Sequence, residues 1–153
     1  MRDTLILSSN WDTRYLALAW HFGTWSKDPS RQIGAVAIGP KGEIIAQGYN
    51  GFPRGIEDTD ERYEVREEKY KYVVHAEMNC IYNAASNGVS LKDSTVYVHG
   101  LPACSECAKG LIQVGVKRVM AFSKDTPERW IESNKLTEEL FKEANIEYET
   151  ITI

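Results

Sequence analysis

Three consecutive stretches decide the fold: Ser94-Thr95-Val96-Tyr97-Val98, then Cys104-Ser105-Glu106-Cys107-Ala108-Lys109-Gly110-Leu111-Ile112-Gln113-Val114, then Val116-Lys117-Arg118-Val119-Met120-Ala121-Phe122. The outer two are apolar, β-branched runs of strand length. The middle one places Ala108, Leu111 and Ile112 at helical spacing, with Gly115 as the residue just past its end. A strand–helix–strand unit returns its second strand parallel to the first and lays the helix over the sheet.

The same logic extends in both directions. Toward the C-terminus, Thr126-Pro127 opens a turn, and Leu136, Leu140, Phe141 and Ala144 mark a helix. Residues 146–152 then alternate like an edge strand, which makes a second crossover. Toward the N-terminus, residues 75–85 read as a helix with Met78, Ile81, Tyr82 and Ala85 inward. Residues 33–38 lack alternation, which suits a strand covered on both faces. Gly39-Pro40-Lys41-Gly42 turns it back into a strand over 43–49. A first helix over 11–25 carries Trp11, Tyr15, Leu18 and Phe22 inward, with Asn10 as its cap, and breaks at Ser26-Lys27-Asp28-Pro29-Ser30. The expected architecture is α/β: a three-layer α/β/α domain over 1–153, with a mixed five-stranded sheet and helices on both faces.

Composition narrows the function. At 42% hydrophobic and 26% charged, the 153 residues can bury a core and are not disordered. Eighteen basic against 22 acidic residues give a net charge of −4, which argues against an obligate nucleic-acid binder but not against a small anionic ligand. The longest near-apolar run, residues 33–40, is too short to span a bilayer. The opening Met1 to Ser9 has no signal-peptide pattern, so the expected location is cytoplasmic. In such a setting Cys104 and Cys107 read as metal or redox chemistry.

The reactive residues are His75-Ala76-Glu77 and Cys104-Ser105-Glu106-Cys107, each at a helix start. Two cysteines one turn apart point the same way, and a helix N-terminus favours thiolate, the form that binds zinc. Three ligands leave zinc a fourth position for water, whose pKa falls from about 15.7 to about 7 on binding. That drop is roughly 12 kcal/mol toward hydroxide at 1.36 kcal/mol per pKa unit. Glu77 is placed to carry protons rather than to bind the ion. The rival reading is a closed structural zinc with His99 or Cys80 as fourth ligand. A redox pair would leave His75 and Glu77 unexplained.

An H-x-E followed by a C-x-x-C is the zinc nucleobase-deaminase pattern. Beyond it, Ser26-Lys27-Asp28-Pro29, Ile33-Gly34-Ala35, Gly48-Tyr49-Asn50-Gly51-Phe52-Pro53-Arg54-Gly55, His75-Ala76-Glu77-Met78-Asn79 and Cys104 to Lys109 resemble the deoxycytidylate (dCMP) deaminases of the cytidine deaminase superfamily. The resemblance covers roughly residues 15–146. It implies a cytidine deaminase-like fold and hydrolysis of dCMP to dUMP and ammonia, which supplies dUMP for thymidylate synthesis. It also implies one catalytic Zn2+ on His75, Cys104 and Cys107, with Glu77 protonating N3 and then carrying the second proton. Ser26 and Lys27 would lie near the substrate phosphate and Asn50 at the deoxyribose, with Ala76 also among the substrate-binding residues. The relatives it points to are homo-hexamers activated by dCTP and inhibited by dTTP with Mg2+. By that resemblance Asn50, Gly51, Arg54, Gly55 and Asp58 would form the regulatory nucleotide site. The chain departs from the family in having Ala103 between Pro102 and Cys104. It has no Cys or His between Asn50 and Val74 for a second zinc. Alternatives are a deaminase of another cytosine or guanine compound, or a non-catalytic zinc-binding nucleotide sensor. Residues 57–71 read most simply as a solvated charged stretch, Cys80 as core, and His99 as a loop histidine near the site.

Overall fold

A computed structural model describes residues 10–152, so the opening segment read above for targeting lies outside it. In chain order the elements are α1 (Asn10–Gly23), β1 (Gly34–Ile38), β2 (Ile44–Tyr49), α2 (Asp60–Glu64), α3 (Arg66–Tyr72), α4 (Ala76–Asn87), β3 (Thr95–His99), α5 (Ser105–Gln113), β4 (Arg118–Ser123), α6 (Ile131–Glu143) and β5 (Glu147–Thr152). A 3₁₀ turn, Glu128–Trp130, precedes α6. The sheet order is β2-β1-β3-β4-β5. β1 is antiparallel to both β2 and β3, whereas β3, β4 and β5 run parallel. The mixed sheet therefore follows from one hairpin plus three crossovers, through α4, α5 and α6. Among the described residues no helix is long and apolar enough to cross a membrane.

Side-chain alternation divides the core in two. Ala35, Ala37, Val96, Val98, Val119 and Ala121 face the layer of α4, α5 and α6. Val36, Ile38, Tyr97, Met120 and Phe122 face α1, which supplies Leu16 and Ala19. Both faces of the inner strands are covered, which explains why residues 33–38 show no polar alternation. Gly115, at φ +84°, ends α5 as the sequence suggests.

The structure corrects four details. On α1 the fully buried residues are Leu16 and Ala19, while Trp11 is exposed, and the helix begins at Asn10 itself. On α4 the buried stripe is Ala76, Glu77, Cys80, Ile81 and Ala84, and Tyr82 faces solvent. On α6 it is Thr137 and Phe141 that are buried, whereas Leu136 is exposed. On α1 and α4 burial follows the neighbouring layer, not the largest apolar side chain. Residues 57–71 are mostly exposed, as a charged stretch suggests, but they include α2 and most of α3, and Tyr63 and Lys69 are buried.

β2 is an edge strand, and α4 supports it closely. Asn79 and Asn83 donate side-chain N–H bonds to the carbonyls of Tyr49 and Gln47, at 2.8 and 2.7 Å. Gly48 makes this approach feasible. A Cβ there would lie 2.4 Å from the Cys80 nitrogen and 2.5 Å from the Ala76 carbonyl oxygen.

Candidate metal and catalytic site

His75 and Cys104 occupy equivalent positions, each the extended N-cap residue of a helix on the same side of the sheet (φ −68°, ψ 155° and φ −74°, ψ 164°). The approach to His75 is pinned by a bridge in which Gly51 and Val74 exchange backbone bonds at 3.1 and 2.8 Å. The approach to Cys104 is pinned by α6: Thr137 donates to the Ala103 carbonyl at 2.9 Å, and the Ser105 N–H donates to Ser133 Oγ at 2.9 Å. Ala103, the residue that departs from the family pattern, is thus buried and hydrogen-bonded.

These two caps bring three donor atoms together. His75 Nδ1 lies 3.3 Å from Cys104 Sγ and 3.4 Å from Cys107 Sγ, and the three ligand atoms fall within 4.8 Å of one another. The Cys107 N–H donates to Cys104 Sγ at 3.4 Å. Cys104 is pushed down to about 4, chiefly by the hydrogen bond from the Cys107 thiol and then by His75. One nitrogen and two sulfurs, with one sulfur already favouring thiolate, match the soft, tetrahedral demands of zinc.

Glu77 lies 4% exposed on the buried stripe of α4 and lines a cleft with His75, Cys104, Asn50, Lys69 and Trp130. Burial pushes its carboxyl up to about 7; the neighbouring Cys104 thiolate adds to this and His75 opposes it. Neither rival fourth ligand joins the cluster. Cys80 is enclosed in the core, where burial pushes its thiol up to about 12. His99 stacks on Phe122 with centroids 4.8 Å apart, on the α1 face of the sheet, and burial pushes it down to about 4.

The other predicted residues separate. Asn50 lines the cleft, but its side chain is occupied: Nδ2 donates to the Arg31 carbonyl at 2.9 Å, and Oδ1 accepts from the Ile33 N–H at 2.9 Å. The Ser26 hydroxyl is buried and donates to the Asn50 carbonyl at 2.7 Å. Lys27 and Asp58 are both exposed and pair with each other at 3.1 Å, outside the cleft. Arg54 donates to Asn83 Oδ1 at 2.7 Å, and Gly55 has φ +84°.

Sequence reasoning passed over three cleft residues. Lys69 reaches Asp28 at 3.1 Å in a buried ion pair. Trp130 sets its ring edge-on to His75, with centroids 6.1 Å apart. Arg129 lines the rim beside it. Pro127 signalled a turn there, but no pattern in the sequence aims that turn at the site.

An imidazole and two thiols at neighbouring helix starts, with a buried carboxyl two residues past the imidazole, define the class of zinc-dependent deaminases. The chain belongs to the cytidine and deoxycytidylate deaminase family, whose zinc-binding region matches residues 9–123. It is 40% identical over 124 residues to a probable deoxycytidylate deaminase of Drosophila melanogaster, a match covering 74% of this chain and 60% of that protein. It is 36% identical over 149 residues to the Mus musculus deoxycytidylate deaminase, covering 93% and 80%. The fold matches the dCMP deaminase of cyanophage S-TIM5, solved with dCMP and dUMP, at a TM-score of 0.74 and 23% identity, covering 94% and 98%.

Proposed function

We propose that this chain hydrolyses dCMP to dUMP and ammonia, with His75, Cys104 and Cys107 holding one zinc ion. The observation that carries this reading is the convergence of those three donors beside a buried carboxyl. Its substrate is supported by the relatives, named as deoxycytidylate deaminases, and by the cyanophage enzyme solved with dCMP and dUMP. Zinc, when bound, supplies a Lewis acid that makes water nucleophilic near neutral pH.

The protein's own contribution centres on Glu77. A carboxyl group held near pH 7 serves as base and acid in turn. Ionised, it accepts a proton from the attacking water. Protonated, it returns that proton to ring N3, and it then moves the second proton to the departing amine. The C4–O bond forms first, as N3 takes its proton, and the C4–N bond then breaks as the amine takes the second, so one water is consumed and one ammonia released. Trp130 packs edge-on to His75 and limits its ring orientations. Asn50 holds the segment around Arg31 and Ile33 as a cleft wall from which the deoxyribose is read. Ser26 is buried against the Asn50 carbonyl, Ala76 is buried in α4, and Lys27 pairs with Asp58, so none of these three expected substrate contacts is among the residues that line the cleft.

Regulation by dCTP, and by dTTP with Mg2+, through residues 50–58 of a hexamer belongs to this proposal. Its support is the placement of that loop: Asn50 reaches the cleft, while Arg54 and Asp58 lie outside it and are exposed.

Glu77→Gln tests the core of the proposal. It should retain one zinc per chain while kcat falls about 10²- to 10⁴-fold; near-normal turnover would reject the proton role. Cys104→Ala should lose the zinc, read by metal analysis. Ammonia release from dCMP, dCTP, deoxycytidine and guanine compounds separates the proposed substrate from its alternatives, and a zinc protein that releases none would be the non-catalytic sensor.

A further inference from the structure

We infer that one stripe of α6, formed by Trp130, Ser133 and Thr137, sets the separation between the imidazole and the two sulfurs, so that zinc affinity is governed by a helix that supplies no ligand. The inference rests on the reading of His75, Cys104 and Cys107 as zinc ligands. Those ligands come from two separate places, the start of α4 and the start of α5. Cys104 ends an irregular loop that leaves the sheet at Gly100, where φ is +129° and the N–H donates to the Phe122 carbonyl at 2.8 Å. At its far end the loop is held by α6. Thr137 donates to the Ala103 carbonyl at 2.9 Å. Ser133 Oγ accepts the Ser105 N–H at 2.9 Å and donates to Ser105 Oγ at 3.2 Å. These bonds bracket Cys104 from both sides.

The same helix reaches the imidazole. Trp130 is the N-cap residue of α6, and its ring meets the His75 ring edge-on, with centroids 6.1 Å apart. Tyr70 of α3 meets Trp130 in turn at 6.4 Å, so the indole is held from a second side. Positions 130, 133 and 137 are spaced three and four apart and share one face of the helix. That face continues to Phe141, which is wholly buried and anchors α6 in the core. One rigid element thus touches both halves of the ligand set. Thr137 is itself wholly buried, so solvent cannot stand in for its hydroxyl. Without it the Ala103 carbonyl loses its partner inside the protein, and the loop is free to carry Cys104 away from His75. Ser133 and Thr137 are positioning residues that act through Cys104, and Trp130 acts through His75. Groups that orient metal ligands in this way are typically responsible for about 10- to 100-fold in metal affinity.

The test measures zinc affinity by competition with a chelator, and the ligand-field spectrum of the Co2+-substituted protein, in wild type and variants. Thr137→Val keeps the side-chain shape and removes the donor. It should weaken zinc about 10- to 100-fold and alter the Co2+ bands, whereas Thr137→Ser, which keeps the hydroxyl, should stay within about threefold of wild type. Ser133→Ala and Trp130→Leu should each weaken zinc by a smaller factor, and they decide the matter if Thr137→Val does not fold. Leu140→Ala removes packing from the same helix but no hydrogen bond, so it should lower Tm and leave zinc affinity close to wild type. Wild-type zinc affinity in Thr137→Val, or in both Ser133→Ala and Trp130→Leu, would overturn the inference. So would a loss in Leu140→Ala as large as that in Thr137→Val, which would assign the effect to the stability of α6. If wild type binds one zinc but releases no ammonia from dCMP, the proposed reaction fails and this assignment stands or falls on the affinities alone. If wild type binds no zinc, both fail.

Discussion

Lys27 and Asp28 are neighbours in the chain, and each makes one ion pair at 3.1 Å, yet the two pairs are physically unlike. Lys27–Asp58 joins side chains that are 66% and 43% exposed, whereas Asp28–Lys69 joins side chains that are 4% and 9% exposed. In water the first pair gains little, because solvent and salt screen it. The second is in a low-dielectric wall, where each charge depends on the other. Asp28 also accepts the Ser30 N–H at 2.8 Å and lies 3.4 Å from Asn50 Nδ2, so the buried pair anchors the segment that shapes the cleft. Burial, not distance, decides what an ion pair does here.

Removing one partner should expose that contrast most sharply. Lys69→Met leaves Asp28 buried and uncompensated, and is expected to lower stability by about 3–5 kcal/mol in urea titrations. Adding Asp28→Asn should recover at least half of that loss; no recovery would mean that packing, not charge, dominates. His99 probes the opposite response to burial, a titratable group held neutral. Its pKa is pushed down to about 4, below the unfolded value near 6.5. Between those values the unfolded chain binds a proton that the folded chain refuses. The contribution of His99 is thus complete above pH 6.5 and is lost as pH falls toward 4, on the order of 3 kcal/mol. His99→Phe should flatten that part of the stability–pH curve. The smallest effect is expected at the exposed pair: Lys27→Ala should shift stability by no more than about 0.5 kcal/mol, and less in high salt. A large, salt-insensitive loss there would erase the comparison.

The sequence made the layers legible because the crossover pattern and turn residues act locally. The metal cluster was legible for a related reason: His75 and Cys104 each begin a helix, and the crossovers through α4 and α5 bring those helix starts to one side of the sheet. What stayed hidden depends on distant partners. Nothing around Lys69 indicates that it meets Asp28, 41 residues earlier. The buried stripe of α4 was misread because the sheet accepts small residues such as Ala76, Cys80 and Ala84, while the bulkier Tyr82 is turned outward. Arg129 was invisible for the same reason: only the folded chain sets its turn beside His75.

Gly48 carries a consequence out of proportion to its size. It abuts the peptide of Ala76, the residue between the imidazole and the carboxyl of the site, while the sulfurs ride on a different helix. A single methyl at Gly48 would act as a wedge under α4, lifting nitrogen and carboxylate together away from the thiols. The alignment of the centre is therefore gauged from the far side of a helix, by the absence of one carbon atom.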